Sequence, residues 1–193
     1  MARGLAYAPP GAPARLQPCT FDLGPGLTLV RGGDGRGKTT ALRLLAGELA
    51  PTHGSLTRPA GPVAQGHGPE PDDPTPGVDW LARHAARYPA WDPERQRMLA
   101  HAFGLTPHLG KSGLMLSTGT RRKVGLLVAF SAGAPVTLLD TPFAGLDAPS
   151  RACLAALLAE AAGDPVRAWV LADTEYPAAL GSVTLAATVD LGD

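Results

Sequence analysis

GGDGRGKT, residues Gly32–Thr39, is the stretch on which the fold of this chain turns. It fits the spacing G-x-x-x-x-G-K-[ST]. Glycines let consecutive backbone N–H groups curl around a phosphate. A helix beginning at Lys38 would point the positive end of its dipole at the anion. Lys38 then supplies a point charge between the β- and γ-phosphates, and the Thr39 hydroxyl is placed to coordinate Mg²⁺. Such a spacing also arises by chance, so the flanks decide. Leu27, Leu29 and Val30 read as a short buried strand running into the glycines. From Thr39, Leu42, Leu45 and Leu49 share one helical face until Pro51 and Gly54 stop it. Strand, loop and helix together make Gly32, Gly33, Asp34, Gly35, Arg36, Gly37, Lys38, Thr39 and Thr40 the candidate phosphate-binding residues.

Outward from the loop, VTLLD at Val136–Asp140 reads as a second buried strand ending in an acid. Apolar runs ending in Asp are common. Downstream of a phosphate loop, however, such an acid is placed to hold Mg²⁺ through water. Between the two lie a Pro/Gly/Asp-rich stretch over 58–76, with at most one short strand near Val63–Gln65, and two helices over Trp80–Tyr88 and Pro93–Phe103. Asp92 is placed to cap the second helix, with Pro93 in its first turn. Ser117 is placed to cap a helix over Gly119–Ser131. Ser150–Ala162 is an Ala/Leu helix ended by Gly163, AWVLA at Ala168–Ala172 a further strand, and Val183–Val189 a last one. Strands alternating with helices predict a parallel α/β core.

Hydrophobic residues make up 45% and charged residues 18%, a globular composition. The 17 Lys+Arg cancel the 17 Asp+Glu, a poor match to a protein that coats nucleic acid, where binding is dominated by phosphate neutralisation. The two cysteines, Cys19 and Cys153, form no metal-type pair and are expected to be reduced thiols. The N-terminus has no apolar stretch of signal-peptide length. The longest apolar run, Val124–Ala134, falls far short of the ~20 residues that cross a bilayer. A membrane role must therefore come through a partner.

Taken together, RGGDGRGKTT, LRLLAGELAPTHGSL, Gln65, LSTGTRRKV at Leu116–Val124 and LLDTPFAGLD at Leu138–Asp147 make the chain resemble an ATP-binding cassette (ABC) ATPase. LSTGT stands where that family carries its LSGGQ signature, upstream of the second acid. The match runs from about Leu5 to about Tyr176. The resemblance implies a P-loop NTPase of α/β class with a parallel-sheet core, a trimmed N-terminal antiparallel β part and a small helical subdomain. It treats residues 1–193 as one nucleotide-binding domain, with the helical subdomain and signature over about 70–125.

The resemblance also implies ATP and Mg²⁺ as cofactors and a head-to-tail pair of cassettes, as a homodimer or a heterodimer. In such a pair Ser117, Thr118 and Gly119 would cap the γ-phosphate of the partner's nucleotide. Tyr7 would stack on adenine, or else be a surface tyrosine. Gln65 would reach Mg²⁺ and the attacking water. Asp147 would lie in the loop that crosses the dimer interface, or else stabilise a helix start. A transmembrane permease subunit is the implied partner, with the cassette cytoplasmic and peripheral on the inner face of the membrane. No nucleic-acid partner is expected. The alternative is a non-transport cassette acting as an ATP-dependent regulatory or assembly switch.

Four departures qualify the expected chemistry. Thr141 stands where a glutamate would polarise water. The switch histidine expected after AWVLA is absent, with Asp173 or Thr174 in its place. LSTGT keeps Ser117 and Gly119 but loses a glycine and a glutamine. The segment from Lys38 to Gln65 is short. Binding residues are complete, whereas a threonine hydroxyl cannot accept a proton from water at neutral pH. Slow turnover at this chain's own phosphate loop is expected, unless a nearby acid such as Asp173 or Glu175 substitutes.

Overall fold

The computed structural model describes residues 1–69 and 73–192. Three short antiparallel strands, β1 (Ala2–Tyr7), β2 (Leu16–Phe21) and β4 (His53–Leu56), form one sheet in the order β2-β1-β4. Five parallel strands form the other: β3 (Gly26–Arg31), β5 (Val63–Gln65), β6 (Val136–Asp140), β7 (Ala168–Asp173) and β8 (Ala187–Asp190), in the order β5-β6-β7-β3-β8. The strand β7 lies between β3 and β6, with Val30 opposite Ala172 and Asp140 also opposite Ala172. This register brings the carboxyl ends of β3 and β6 to the same edge, where ligands bind in open parallel sheets.

The central parallel strands β3, β6 and β7 are buried on both faces, which their near-continuous apolar sequence requires. Alternate side chains enter different cores. Leu27, Leu29, Leu139, Trp169 and Leu171 pack beneath the helices α4 (Thr118–Ser131) and α5 (Ala148–Ala162). Val30, Leu138, Val170 and Ala172 pack against α1 (Lys38–Ala46) and the antiparallel sheet, through Leu42, Leu45, Leu5 and Leu16. Trp169 and Phe130 stack in the first core with ring centroids 4.9 Å apart.

Two further helices, α2 (Gly77–Ala85) and α3 (Pro93–Ala102), pack on α4. Asp92 caps α3 by accepting from the Arg95 amide at 2.9 Å, as the sequence predicts. Ser117 caps α4 through the Thr120 amide at 3.2 Å.

Some boundaries differ from the sequence reading. Helix α1 stops at Gly47, whose left-handed φ of 82° turns its N–H back onto the Arg43 and Leu44 carbonyls, so Leu49 lies beyond the helix. Helix α2 ends at Ala85, and a turn delivers Tyr88 into the core. The last strand starts only at Ala187, because Val183 is held in a turn, its N–H on the Leu180 carbonyl and its own carbonyl on the Tyr176 hydroxyl. Cys19 and Cys153 are both free thiols.

One crossing ties the helical part to the sheet. An ideal Cβ on Gly125, in the middle of α4, would lie 2.4 Å from the Gly68 amide nitrogen and 2.5 Å from the Gly66 oxygen. A Cβ on Gly68 would lie 1.8 Å from the Arg121 oxygen. Only bare backbone lets the loop after β5 cross the helix this closely.

Candidate functional site

The phosphate loop rises from the end of β3 and enters α1. Gly37 precedes the helix with φ 92°. The Lys38 ammonium, on a side chain only 9% exposed, donates to the carbonyls of Gly32 at 2.6 Å and Gly33 at 2.9 Å. The loop is also braced from below, since the Gly33 N–H donates to the Gly192 carbonyl at 2.9 Å. Opposite the helix start, the Thr39 hydroxyl donates to Asp140 Oδ2 at 2.6 Å. A strand end and a helix start from residues a hundred positions apart thus bring a hydroxyl and a carboxylate together.

A cleft of about 320 Å³ opens here, lined by Arg15, Asp34, Gly35, Gly37, Lys38, Thr39, Thr40, Asp140 and Thr141. Hard oxygen donors beside a lysine and a helix N-terminus suit Mg²⁺ with a polyphosphate, because Mg²⁺ takes few protein ligands and keeps water. Among the described residues no group of three or more His, Cys, Asp or Glu could hold a metal by itself.

Thr141 follows Asp140 with φ 41°, the sole positive φ outside glycine among the described residues. A β-branched residue in this region is strained. Its backbone is pinned on both sides. The Thr141 N–H donates to the Ala172 carbonyl at 2.8 Å, and its carbonyl accepts from the Ala144 N–H at 3.1 Å and from the Arg122 guanidinium. Bonds from β7, from α4 and from its own turn over-determine the conformation, which is how strain persists.

The other sequence candidates are dispersed. The Gln65 amide donates to Glu48 Oε1 at 2.6 Å and does not line the phosphate cleft. That bond, first among several causes, draws the Glu48 carboxyl below its ordinary range. Tyr7, half-buried at the end of β1, is also outside the cleft lining. Asp173 accepts from the Thr174 N–H at 2.8 Å, so its carboxylate caps its own loop. Asp173 and Thr174 are likewise outside the lining.

Ser117 and Thr118 are exposed at the start of α4, and Gly119 is packed so that a Cβ would lie 2.8 Å from the Gly145 oxygen. None of the three lines the phosphate cleft. Thr118 instead shares an adjoining cleft of about 340 Å³ with Gly66, His67, Arg121, Arg122 and Asp140.

The basic run after the signature is turned inward to hold the site. Arg121 donates to the Leu116 carbonyl, Arg122 to Thr141, and Lys123 to Asp147 Oδ2 at 2.6 Å. Asp147 also caps α5 through the Ser150 amide at 2.9 Å. The Lys123 hydrogen bond first, then those from Ser150, hold the Asp147 carboxyl well below the usual carboxylate range.

The sign of the resulting pH effect is fixed by linkage. A carboxyl with a lowered folded-state pKa contributes stability above its unfolded value, ~4, and that contribution disappears as pH falls through the folded value. Thermal melts of wild type and Lys123→Met should therefore differ by a constant gap from neutral pH down to about pH 5, a gap that narrows progressively as pH falls below about 4. A gap that persists unchanged in acid would show that Lys123 does not act through Asp147.

Arg15 and Glu48 carried no signal in the sequence, since the cleft that Arg15 lines and the Gln65 amide that Glu48 accepts from are brought to them only by the fold. The glycine crossing at Gly125 was equally silent.

The comparisons with known proteins bear on this geometry. The sequence model of a family described as "ABC transporter" matches residues 16–144. The cytochrome c biogenesis ATP-binding export protein CcmA of Rhodobacter capsulatus is 34% identical over 188 residues, which cover 94% of this chain and 78% of that one. CcmA of Paramagnetospirillum magneticum is 33% identical over 181 residues, 82% of each chain. The taurine import ATP-binding protein TauB of Pseudomonas entomophila is 35% identical over 151 residues, 72% of this chain and 58% of that one. Among solved structures, an ATP-binding subunit of an ABC transporter superposes with a TM-score of 0.76 at 20% identity, covering 89% of this chain and 77% of that one. An ABC transporter ATP-binding protein from Pyrococcus furiosus gives 0.75 at 19% identity, covering 98% and 96%. The structural likeness fixes the fold, and the family model spans the phosphate loop, Asp140 and the helix that Ser117 caps: the chain belongs to the ABC transporter family, as an ATP-binding cassette.

Proposed function

We propose that this cassette binds Mg-ATP between its own phosphate loop and the Ser117–Gly119 segment of a second cassette, homologous or identical, and that its own loop hydrolyses ATP slowly. In this reading it serves a transmembrane permease subunit from the inner face of the membrane. Among the described residues no helix is long and apolar enough to cross a bilayer, which agrees with a separate membrane subunit. Relatives named for export and for import match overlapping stretches, so the likeness carries the ATP-binding engine and not the cargo.

The observation that carries the reading is the contrast within one cleft. The Thr39–Asp140 pair is assembled, whereas the next residue is Thr141. Only Asp34 and Asp140 supply carboxylates to the described lining, and Asp173 is committed to its own loop. Thr39, Asp140 and, after a side-chain turn away from Glu48, Gln65 are the residues that would hold Mg²⁺, which neutralises charge on the β- and γ-phosphates when bound. Lys38 orients the phosphates from the opposite wall. The Thr141 hydroxyl can orient a water but cannot take its proton, so the chain supplies binding without a general base. Ser117 and Thr118 are exposed and do not line the chain's own phosphate cleft, which suits a role on a partner's nucleotide.

Purified wild type should bind Mg-ATP, and Lys38→Ala should weaken binding by at least about tenfold, the worth of one charge-assisted bond. Steady-state phosphate release by wild type should match the Lys38→Ala blank. Release clearly above that blank would overturn the slow-site reading, and absence of ATP binding would overturn the binding reading.

A further inference from the structure

We infer that Arg15 is a nucleotide-recognition residue of this cassette, a second cation that engages the non-transferred part of the polyphosphate. The inference rests on the proposed ATP binding at the phosphate loop. It assigns a role to a residue that lies outside the loop, in the turn that leads into the antiparallel sheet.

Arg15 immediately precedes β2. Its N–H donates to the Tyr7 carbonyl at 2.8 Å, closing the turn between β1 and β2. Its carbonyl is seated directly on the phosphate loop, since an ideal Cβ on Gly37 would lie 2.2 Å from the Arg15 oxygen and 3.1 Å from the Leu16 Cα. The antiparallel sheet and the residue before Lys38 therefore touch backbone to backbone, which fixes where the Arg15 side chain starts. That side chain lines the same cleft as Lys38, Thr39, Thr40 and Asp140. It is exposed and makes no hydrogen bond or ion pair among the described residues. Arg36, although within the loop, does not line the cleft.

Charge decides what this cation is for. The described lining holds two cations, Lys38 and Arg15, against two carboxylates, Asp34 and Asp140. Without Arg15 an anionic polyphosphate would enter a cleft of net negative side-chain charge. The Lys38 ammonium sits on the Gly32 and Gly33 carbonyls at the loop's base. Arg15 enters the cleft instead from a backbone seated against Gly37 and tied to Tyr7, at the antiparallel-sheet side of the loop. A guanidinium there presents a planar fork to phosphate oxygens. Because it acts on the end of the nucleotide that is not transferred, it should serve ATP and ADP equally.

The test is a titration of wild type, Arg15→Ala and Arg15→Lys with Mg-ATP and with Mg-ADP at two salt concentrations, alongside thermal melts without nucleotide. Arg15→Ala should raise the Kd for both nucleotides by a similar factor of about ten, the worth of a charge-assisted hydrogen bond, with a weaker salt dependence and an unchanged melt. Arg15→Lys should lie between the two. Unchanged affinities would make Arg15 a solvated surface cation and overturn the inference. A loss confined to ATP would move its contact to the γ-phosphate and overturn the placement. A lowered melt in Arg15→Ala would assign the loss to the sheet–loop contact and not to charge. If wild type binds neither nucleotide, it is the underlying ATP-binding reading that fails.

Discussion

Thr141→Glu should raise steady-state release of phosphate from Mg-ATP by about 10²–10⁴-fold over wild type, the usual contribution of a positioned general base. The reasons are local. Thr141 lines the cleft beside Asp140, and Thr39 is already paired with that acid. The backbone at position 141 is held by Ala172, Ala144 and Arg122, so a longer side chain inherits a fixed origin. Glutamate also lacks the branch at Cβ that makes threonine unfavourable at φ 41°. The double variant Lys38→Ala/Thr141→Glu is the control, and it should return to the blank. A silent Thr141→Glu that still binds ATP would mean that more than the base is missing, and would turn attention to the segment that the proposed second cassette would supply.

Gly125→Val should destabilise the fold more than any surface change in the chain. A Cβ there meets the Gly68 nitrogen at 2.4 Å and the Gly66 oxygen at 2.5 Å, and both are backbone atoms that cannot rotate away. Overpacking of this kind costs typically about 1–3 kcal/mol, which lowers the melting temperature of a chain this long by roughly 2–12 °C. The displaced loop begins one residue after Gln65, so the variant should also lose order beside Asp140. Hydrogen exchange at 63–69, read with the melt, distinguishes local detachment from global loosening. A Gly125→Val chain that melts with wild type would show that the crossing is slack.

Much of the architecture is legible from residues alone. The run into Gly32, the Val136–Asp140 strand and the caps at Asp92 and Ser117 follow from apolar periodicity and side-chain chemistry, which are local. The strands of the antiparallel sheet are not. In β4, HGSL exposes three of its four residues, so there is no alternation to read. In β1, register shifts around Gly4, with φ 53°, break the period of two. The candidate site divides in the same way. Lys38, Thr39 and Asp140 could be named from spacing. The pairing of Gln65 with Glu48, the inward turn of Arg121–Lys123 and the entry of Arg15 into the cleft depend on which distant groups are near, and no short window holds that information.

The bond from the Gly33 N–H to the Gly192 carbonyl has a consequence for the whole molecule. A segment 159 residues downstream of the loop behaves, in thermodynamic terms, as an intramolecular ligand of it. Coupling free energy is reciprocal. Whatever fixes the loop in the conformation that Gly192 favours also fastens the end of β8, and whatever frees that end withdraws support from the loop. The segment just past β8, the edge strand paired with β3, is thus a place from which the nucleotide's affinity can be set without touching the nucleotide.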